Sequence, residues 1–211
     1  MCEKKALLLV DLQNDFMPGG TLAVPNAHEI IVIANQLQFY FDCVAVTQDW
    51  HPSDHCSFAS NHPGHAVGDR IACDGVTQIL WPIHCQQNSW GAQFVSDLIL
   101  KPGTYIAQKG IDPKIDSYSG FFDAARRRAT GLTDYFQQHG SIELYIAGVA
   151  TDYCVQYTAL DACQLGFKTY LIIDACRGIR VFDSMKAVTQ MQEAGVILVH
   201  SNKIKARRIG R

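Results

Sequence analysis

The sequence predicts an α/β fold in which a parallel sheet is covered by helices on both faces. Short apolar runs alternate along the chain with segments whose apolar residues recur at helical spacing. The clearest of these runs contain no polar residue, which is typical of strands buried on both faces. Polar residues of the types that act in catalysis or bind metals follow directly after several of these runs. Because ligands bind at the carboxyl ends of parallel strands, these residues are expected to share one crevice.

The first elements follow this alternation. Residues 6–10 form an unbroken apolar run that predicts a strand, and Asp11 follows it directly. Residues 27–41 carry apolar side chains at helical spacing, with Asn26 as a candidate N-cap. Residues 43–47 predict the second strand. A turn aspartate is the alternative reading of Asp11, although the neighbouring Pro-Gly-Gly segment already supplies turn residues.

A candidate metal site follows the second strand. Asp49 and His51 lie two residues apart, so at a strand end both side chains can reach one cation. Residues 57–93 are predicted to lack regular secondary structure, and a segment of that length more often has a functional role than serves only as a connection. His84 lies within it as a third candidate ligand. Two histidines and a carboxylate are typical of catalytic metal sites, while surface histidines remain the alternative on spacing alone.

The second half of the chain repeats the pattern of strands and helices. Lys109 ends the third predicted strand, in the same placement as Asp11, although most lysines are simply solvated. The remaining strands are predicted at residues 104–109, 144–147, 167–173 and 196–199, and the helices at residues 132–138, 155–163 and 183–194.

Cys154 is the candidate nucleophile. It falls in the first turn of a helix that follows the strand at residues 144–147, where Gly148 permits a tight exit. Thr151 and Asp152 are candidate N-caps for that helix. Free backbone N–H groups and the helix dipole favour a thiolate in this position. The alternative is a small buried core residue, which is the usual role of cysteine.

Composition narrows the classes of function. A chain of 211 residues with 48% apolar and 18% charged residues predicts a single globular domain over residues 1–211. The net charge of −2 gives no reason to expect nucleic acid or a membrane surface as a partner. We identify neither a membrane span nor a signal peptide, and eight cysteines without paired spacing indicate reduced thiols in the cytoplasm. Residues 201–211 are expected to form a basic, solvated tail.

These residues together resemble the nicotinamidase (pyrazinamidase) branch of the isochorismatase-like cysteine hydrolase superfamily. The Asp–Lys–Cys set is common to the superfamily, whereas the Asp-x-His pair and the later histidine are specific to that branch. The matching stretches run in the family's order over nearly the whole chain: residues 9–16, 48–52, 81–85, 109–110, 116–119 and 148–155.

The resemblance implies a doubly wound three-layer sandwich around a six-stranded parallel sheet. It implies a catalytic triad of Asp11, Lys109 and Cys154. It also implies a cis peptide bond between Val149 and Ala150, with an oxyanion hole formed by the N–H groups of Ala150 and Cys154. The substrate-binding residues that it implies are Phe16, Leu22, Trp81, Tyr118 and Ala150.

The implied reaction converts nicotinamide and water to nicotinate and ammonia through a thioester, and pyrazinamide to pyrazinoate, within NAD salvage. One divalent metal ion would be held by Asp49, His51 and His84 and would orient the substrate ring. Zinc is the default for these ligands, with iron and manganese as alternatives. His55 is a candidate fourth ligand, with water as its alternative. No organic cofactor is implied.

Two other functions remain open on the sequence. The first is another hydrolase of the superfamily that acts on a carbamoyl group or a vinyl ether, against which Asp49, His51 and His84 argue. The second is a non-catalytic metal-binding or scaffold protein that keeps the fold. The intact Asp–Lys–Cys set argues against this second function. The sequence does not distinguish a monomer from a homo-oligomer.

Overall fold

The computed structural model describes residues 4–204, in which a six-stranded parallel sheet lies between two layers of helices. All six predicted strands are present, so the predicted fold class is confirmed. Residues 205–211 of the predicted basic tail lie outside the described residues. The strands are β1 (Lys4–Val10), β2 (Cys43–Asp49), β3 (Arg70–Cys73), β4 (Val76–Ile79), β5 (Tyr105–Lys109), β6 (Ser141–Val149), β7 (Lys168–Arg177) and β8 (Ile197–Val199). The α-helices are α1 (Ile30–Leu37), α2 (Leu132–Gln138), α3 (Gln156–Gln164) and α4 (Val181–Glu193).

The order of the strands creates the crevice. The sheet runs β5-β2-β1-β6-β7-β8, and every neighbouring pair in it is parallel. The chain moves outward from β1 through β2 to β5 on one side, and from β6 through β7 to β8 on the other. The order therefore reverses between β1 and β6. In open α/β sheets, ligands bind beyond the carboxyl ends of the strands at such a reversal.

The unbroken apolar run of β1 is explained by burial on both faces. Leu7 and Leu9 belong to one apolar cluster together with α1. Ala6, Leu8 and Val10 belong to the cluster on the opposite face, with residues of α2, α3 and α4. All five side chains are fully buried. Full burial of one large aliphatic side chain contributes roughly 1.5–3 kcal/mol, so this central strand is a main source of stability.

A β-hairpin lies inside the segment that we predicted to be irregular. Strands β3 and β4 pair in antiparallel fashion and are joined by a two-residue turn, Asp74-Gly75. Both turn residues have positive φ, 45° and 85°, as a type I′ hairpin turn requires. The prediction for residues 57–93 was therefore wrong at this point. The Asp-Gly dipeptide was the signal that could have found the hairpin.

The helices differ from the predicted ones mainly at their ends. The segment predicted as one helix over residues 27–41 is α1 flanked by short 3-10 turns at Ala27–Glu29 and Gln38–Tyr40. Asn26 has a left-handed backbone with φ of 58°, and its side chain makes no capping hydrogen bond, so the predicted cap is wrong. None of the helices between residues 4 and 204 combines the length and apolar character that a membrane crossing requires.

Gly148→Ala is expected to lower the free energy of unfolding by about 3 kcal/mol, since it adds both steric overlap and backbone strain. Gly148 has φ of 131°, and a Cβ atom there would lie 2.7 Å from the backbone N of Val10 and would also overlap Val10 O. Backbone atoms of a central strand cannot move aside as a flexible side chain can. Urea unfolding followed by circular dichroism measures the loss.

Gly166→Ala is the matched control for this prediction. Gly166 also has a positive φ, 86°, but a Cβ atom there would meet nothing within 4 Å. The control substitution is expected to lower the free energy of unfolding by about 1 kcal/mol, which is the effect of the left-handed backbone alone. Equal losses in the two variants would contradict the proposed overlap between β6 and β1.

Candidate active site

Four of the predicted polar residues meet beyond the carboxyl ends of the strands. Asp11 follows β1, Asp49 ends β2, Lys109 ends β5, and Cys154 lies in the turn after β6. All four are buried. The structure thus brings the three predicted triad residues together with one of the predicted metal ligands.

The ammonium group of Lys109 is the centre of this cluster. Its Nζ lies 3.0 Å from Asp11 Oδ2, 2.5 Å from Asp49 Oδ1 and 3.4 Å from Cys154 Sγ. It also donates a hydrogen bond of 3.0 Å to the carbonyl oxygen of Ser117. Although burial acts to lower the pKa of Lys109, Asp11 and Asp49 outweigh burial and raise this pKa well above its ordinary value. Lys109 therefore stays positively charged.

Thr47, which the sequence analysis missed, fixes the orientation of Asp11. Its hydroxyl group donates a 2.5 Å hydrogen bond to Asp11 Oδ1 and accepts one of 3.1 Å from the backbone N–H of Asp11. Asp11 Oδ2 has no hydrogen-bond partner among residues 4–204, and it faces Lys109 as an ion pair. One carboxylate oxygen is therefore held, while the other keeps a lone pair that can accept a proton.

Burial sets the protonation state of the sulfur. It raises the pKa of Cys154 well above the ordinary value, because the opposing effect of Lys109 is smaller and Asp11 adds to the rise. Burial likewise raises the pKa of Asp11, against the effect of Lys109. Burial thus acts against the thiolate that the start of a helix is expected to favour. The raised pKa of Asp11 makes it a better proton acceptor for the thiol.

The turn that carries Cys154 is a single π-helical turn, Thr151–Val155, which leads into α3. Neither predicted cap acts as one. The carboxylate of Asp152 instead accepts hydrogen bonds of 2.9 and 3.0 Å from the backbone N–H groups of Ile179 and Arg180. The side chain is thus used in a tertiary contact rather than in a local cap. The peptide bond between Val149 and Ala150 is cis, as the resemblance implies.

An aromatic pocket opens in front of Cys154. Trp81 Nε1 donates a 2.9 Å hydrogen bond to the Tyr118 hydroxyl group, and the rings of Trp81 and Tyr153 pack edge to face at 4.9 Å between centroids. All five predicted substrate-binding residues line this pocket: Phe16, Leu22, Trp81, Tyr118 and Ala150. Five further lining residues were not among the predicted site residues: Val24, Asp116, Ser117, Tyr153 and Ile179.

Asp49, His51 and His84 are arranged as a metal site requires. His51 Nδ1 is 2.9 Å from the carbonyl oxygen of Gly110, and His84 Nδ1 is 2.8 Å from that of Pro82. Because a carbonyl oxygen only accepts, each Nδ1 carries a proton, and Nε2 of each ring is the nitrogen left to face a cation. The two Nε2 atoms lie 3.7 and 4.0 Å from Asp49 Oδ2. These donor atoms fit a divalent metal such as zinc.

The charges of these three residues follow from their surroundings. Burial lowers the pKa of His84 to about 4, so its ring is neutral near neutral pH. Burial also acts to lower the pKa of His51, but Asp49 outweighs it and this pKa is raised. The pKa of Asp49 is lowered, because Lys109 and His51 together outweigh burial. The site therefore offers an anionic oxygen beside imidazole nitrogens.

His55 lies beside His51, in a second group of candidate ligand atoms. The rings of His51 and His55 are 4.2 Å apart between centroids. The ligand atoms of His55 come within 4.8 Å of those of His51 and Asp116, whereas Asp49, His51 and His84 form a separate group. Burial lowers the pKa of His55 to about 4. The pKa of Asp116 is also lowered, because His55 and His51 outweigh the effect of burial.

Comparison with known proteins identifies the family. Residues 5–203 match the family model described as the isochorismatase domain. The chain belongs to the isochorismatase family. Two curated relatives in this family are nicotinamidases. One is from Escherichia coli, with 47% identity over 92% of this chain and 93% of the relative. The other is from Acinetobacter baylyi, with 45% identity over 94% of each chain.

Solved structures of isochorismatase-family enzymes agree with these relatives. A nicotinamidase/pyrazinamidase from Acinetobacter baumannii superposes with a TM-score of 0.92 at 45% identity, covering 97% of this chain and 100% of the other. The yeast nicotinamidase bound to the inhibitor nicotinaldehyde has a TM-score of 0.88, 34% identity and coverages of 93% and 99%. The pyrazinamidase of Pyrococcus horikoshii in complex with zinc has a TM-score of 0.79, 36% identity and the same coverages. The resemblance to nicotinamidases is therefore confirmed.

Proposed function

We propose that this protein is a metal-dependent amidohydrolase that converts nicotinamide and water to nicotinate and ammonia, and pyrazinamide to pyrazinoate. One observation carries the proposal: the sulfur of Cys154 lies 3.4 Å from Lys109 Nζ, at the back of an aromatic pocket whose wall also includes Asp49, His51 and His84. Curated relatives with this activity in their names, at 45% and 47% identity, support it. We also propose one domain over residues 1–211, a cytoplasmic location and a role in NAD salvage.

The first step is attack on the amide carbon. An amide carbonyl is a poor electrophile, so the thiol must lose its proton as the bond forms. Asp11 accepts that proton on Oδ2, the oxygen without a hydrogen bond among the described residues. Lys109 lies between the two groups and balances the negative charge that passes between them. Thr47 holds the other oxygen of Asp11, so the acceptor stays in place.

The carbonyl oxygen becomes an oxyanion as the sulfur adds to the carbon. In our proposal the backbone N–H groups of Ala150 and Cys154 stabilise it, and each donor of this kind contributes roughly 3 kcal/mol. The carbon–nitrogen bond then breaks, and Asp11 returns its proton to the leaving ammonia. The product is a thioester on Cys154. Asp11 next takes a proton from water, and the hydroxide adds to the thioester carbon. The carbon–sulfur bond breaks, Asp11 returns the proton to the sulfur to regenerate the thiol, and the product acid loses its own proton to solvent and leaves as nicotinate.

Asp49, His51 and His84 would hold the metal in this enzyme, with His55 or water as the fourth ligand. When bound, the metal would supply a Lewis-acid contact that orients the ring through its nitrogen. Zinc is our first choice because the donor set is one carboxylate and two imidazoles, with iron and manganese as alternatives. Phe16, Leu22, Trp81 and Tyr118 surround the ring in the same pocket.

Ammonia release tests this proposal. Purified protein is expected to release ammonia from nicotinamide and from pyrazinamide. After chelation the rate is expected to fall at least tenfold, since substrate binding loses its ring contact, and added zinc is expected to restore it. Elemental analysis before and after chelation verifies metal removal. A carbamoyl compound serves as the control substrate.

The outcomes separate the competing functions. Ammonia from the carbamoyl compound alone would identify a different hydrolase of the same superfamily. Unchanged nicotinamide hydrolysis in verified metal-free protein would contradict metal dependence while leaving the cysteine chemistry intact. No hydrolysis of either ring amide by metal-loaded protein would refute the proposed function.

A further inference from the structure

Asp116 is a buried carboxylate to which the proposed chemistry gives no task. It is 3% exposed. Its Oδ1 accepts a 2.7 Å hydrogen bond from the N–H of Ser117, and its Oδ2 accepts one of 3.0 Å from Gln78 Nε2. Two N–H donors match an ionised carboxylate, which can only accept. Between residues 4 and 204, no lysine, arginine or histidine nitrogen lies within 4 Å of its oxygens. A buried anion without a counter-charge in contact is costly.

The group that Asp116 faces is also unsatisfied. The ligand atoms of His51, His55 and Asp116 lie within 4.8 Å of one another, and among the described residues neither histidine nitrogen comes within 4 Å of an Asp116 oxygen. His55 is fully buried, and its Nε2 has no hydrogen-bond partner in the described part of the chain. Its Nδ1 is occupied by the hydroxyl group of Ser57 at 2.7 Å. The carboxylate of Asp116 and the Nε2 atom of His55 are thus buried near each other, and neither has an ion-pair partner in contact among the described residues.

His51 connects this group with the metal site. It belongs both to the set of Asp49, His51 and His84 and to the set of His51, His55 and Asp116. Its Nδ1 is already bonded to Gly110, so only Nε2 can bind a metal, and the two sets describe one cation rather than two. The carboxylate of Asp116 therefore lies within 4.8 Å of the His51 atom that would bind that cation, and it lines the same pocket as Asp49 and His84.

Charge balance gives Asp116 its role. A divalent cation brings two positive charges, and Asp49 supplies one negative charge that it already shares with Lys109 at 2.5 Å. The ammonium of Lys109 is itself shared with Asp11 at 3.0 Å. We propose that Asp116 is a positioning residue of the metal centre, whose buried negative charge beside His51 and His55 stabilises a bound divalent cation. This inference rests on the metal dependence in the proposed function.

Zinc affinity of the Asp116→Asn variant tests the inference. Zinc is titrated into metal-free protein in competition with a chromophoric chelator. The dissociation constant is expected to rise about 10- to 100-fold, as is typical when a partner of a metal ligand is lost. Thermal unfolding of the metal-free variant is expected near the wild-type temperature, because removal of an uncompensated buried charge offsets the loss of one of the two N–H hydrogen bonds. The rise in melting temperature on adding zinc is expected to shrink.

A second variant separates charge from shape. In Asp116→Asn/Gln78→Glu the amide at 116 donates to a carboxylate at 78 and the negative charge returns to nearly the same place, with loss of the Gln78 hydrogen bond to the carbonyl oxygen of Ile79. This double variant is expected to recover most of the zinc affinity. Asp174→Asn is the matched control, because its carboxylate is held by Ser201 and lies outside both histidine groups. Its zinc affinity is expected to equal that of the wild type.

Three results would overturn the inference. One is a zinc dissociation constant for Asp116→Asn within twofold of the wild type. Another is loss of folding or of metal-free stability in that variant, which would make Asp116 a structural residue. The last is a folded double variant without recovery. A wild-type protein that binds zinc but hydrolyses no nicotinamide would refute the proposed function alone, because the titration does not depend on turnover.

Discussion

Cys154→Ala is expected to lower kcat for nicotinamide on the order of 10⁴-fold or more, because loss of a covalent nucleophile removes the pathway rather than one contact. The sulfur lies 3.4 Å from Lys109, and an alanine leaves the carbonyl carbon with no attacking atom. The Asp11–Lys109–Asp49 ion pairs do not involve the sulfur, so the fold and the metal site are expected to persist. Ammonia release measures the rate, and elemental analysis measures bound metal.

Cys163→Ala is the control for this prediction. Cys163 is a free, half-buried thiol in the last turn of α3. Its variant is expected to keep the wild-type rate, and a thiol-directed analogue of the substrate is expected to label Cys154 in both the wild type and the control. Substantial ammonia release by folded Cys154→Ala would eliminate the nucleophile that we propose.

Asp11→Asn is expected to lower kcat by roughly 10³- to 10⁴-fold, the upper part of the range for a single general acid–base group. The amide is nearly the same size and can still accept the hydrogen bond from Thr47, but it cannot take a proton from the thiol. Because the pKa of Cys154 is raised by burial, little thiolate forms without that acceptor. Single-turnover experiments with nicotinamide are expected to show no rapid release of ammonia.

Zinc content and thermal unfolding of Asp11→Asn separate chemistry from folding. Both are expected to stay near the wild-type values, since Asp49 still pairs with Lys109 at 2.5 Å. A kcat within tenfold of the wild type would remove Asp11 from proton transfer and would require another base in the pocket.

The sequence was sufficient for the sheet and for the positions of the reactive residues. Residues 6–10 and 144–147 are apolar without interruption because both of their faces are buried, and that pattern is local. Once such strands are parallel, the residues that follow them must meet at one edge. This explains why Asp11 and Cys154 could be placed in one crevice before the structure was known.

What the sequence did not predict depends on contacts between distant segments. Asp152 has the composition of an N-cap, but its carboxylate is used by N–H groups 27 and 28 residues further along the chain. The raised pKa of Cys154 is an effect of burial, which no helix position reveals. Thr47 has no local pattern that separates it from any other threonine at the end of a strand. The four-residue strands β3 and β4 are too short for periodicity to detect.

The contacts of Asp152 give the pocket one fixed wall and one looser wall. Its carboxylate joins the nucleophile turn to Ile179, so that side of the opening is fastened by two charge-assisted hydrogen bonds, each contributing about 1.5–3 kcal/mol. The indole of Trp81 is held at its nitrogen by a single neutral bond to Tyr118, which contributes about 0.5–1.5 kcal/mol, and by its edge-to-face contact with Tyr153, which contributes about as much again. Opening the pocket to admit the substrate ring therefore costs less free energy if Trp81 moves than if the nucleophile turn moves. The sulfur of Cys154 keeps its position in the process.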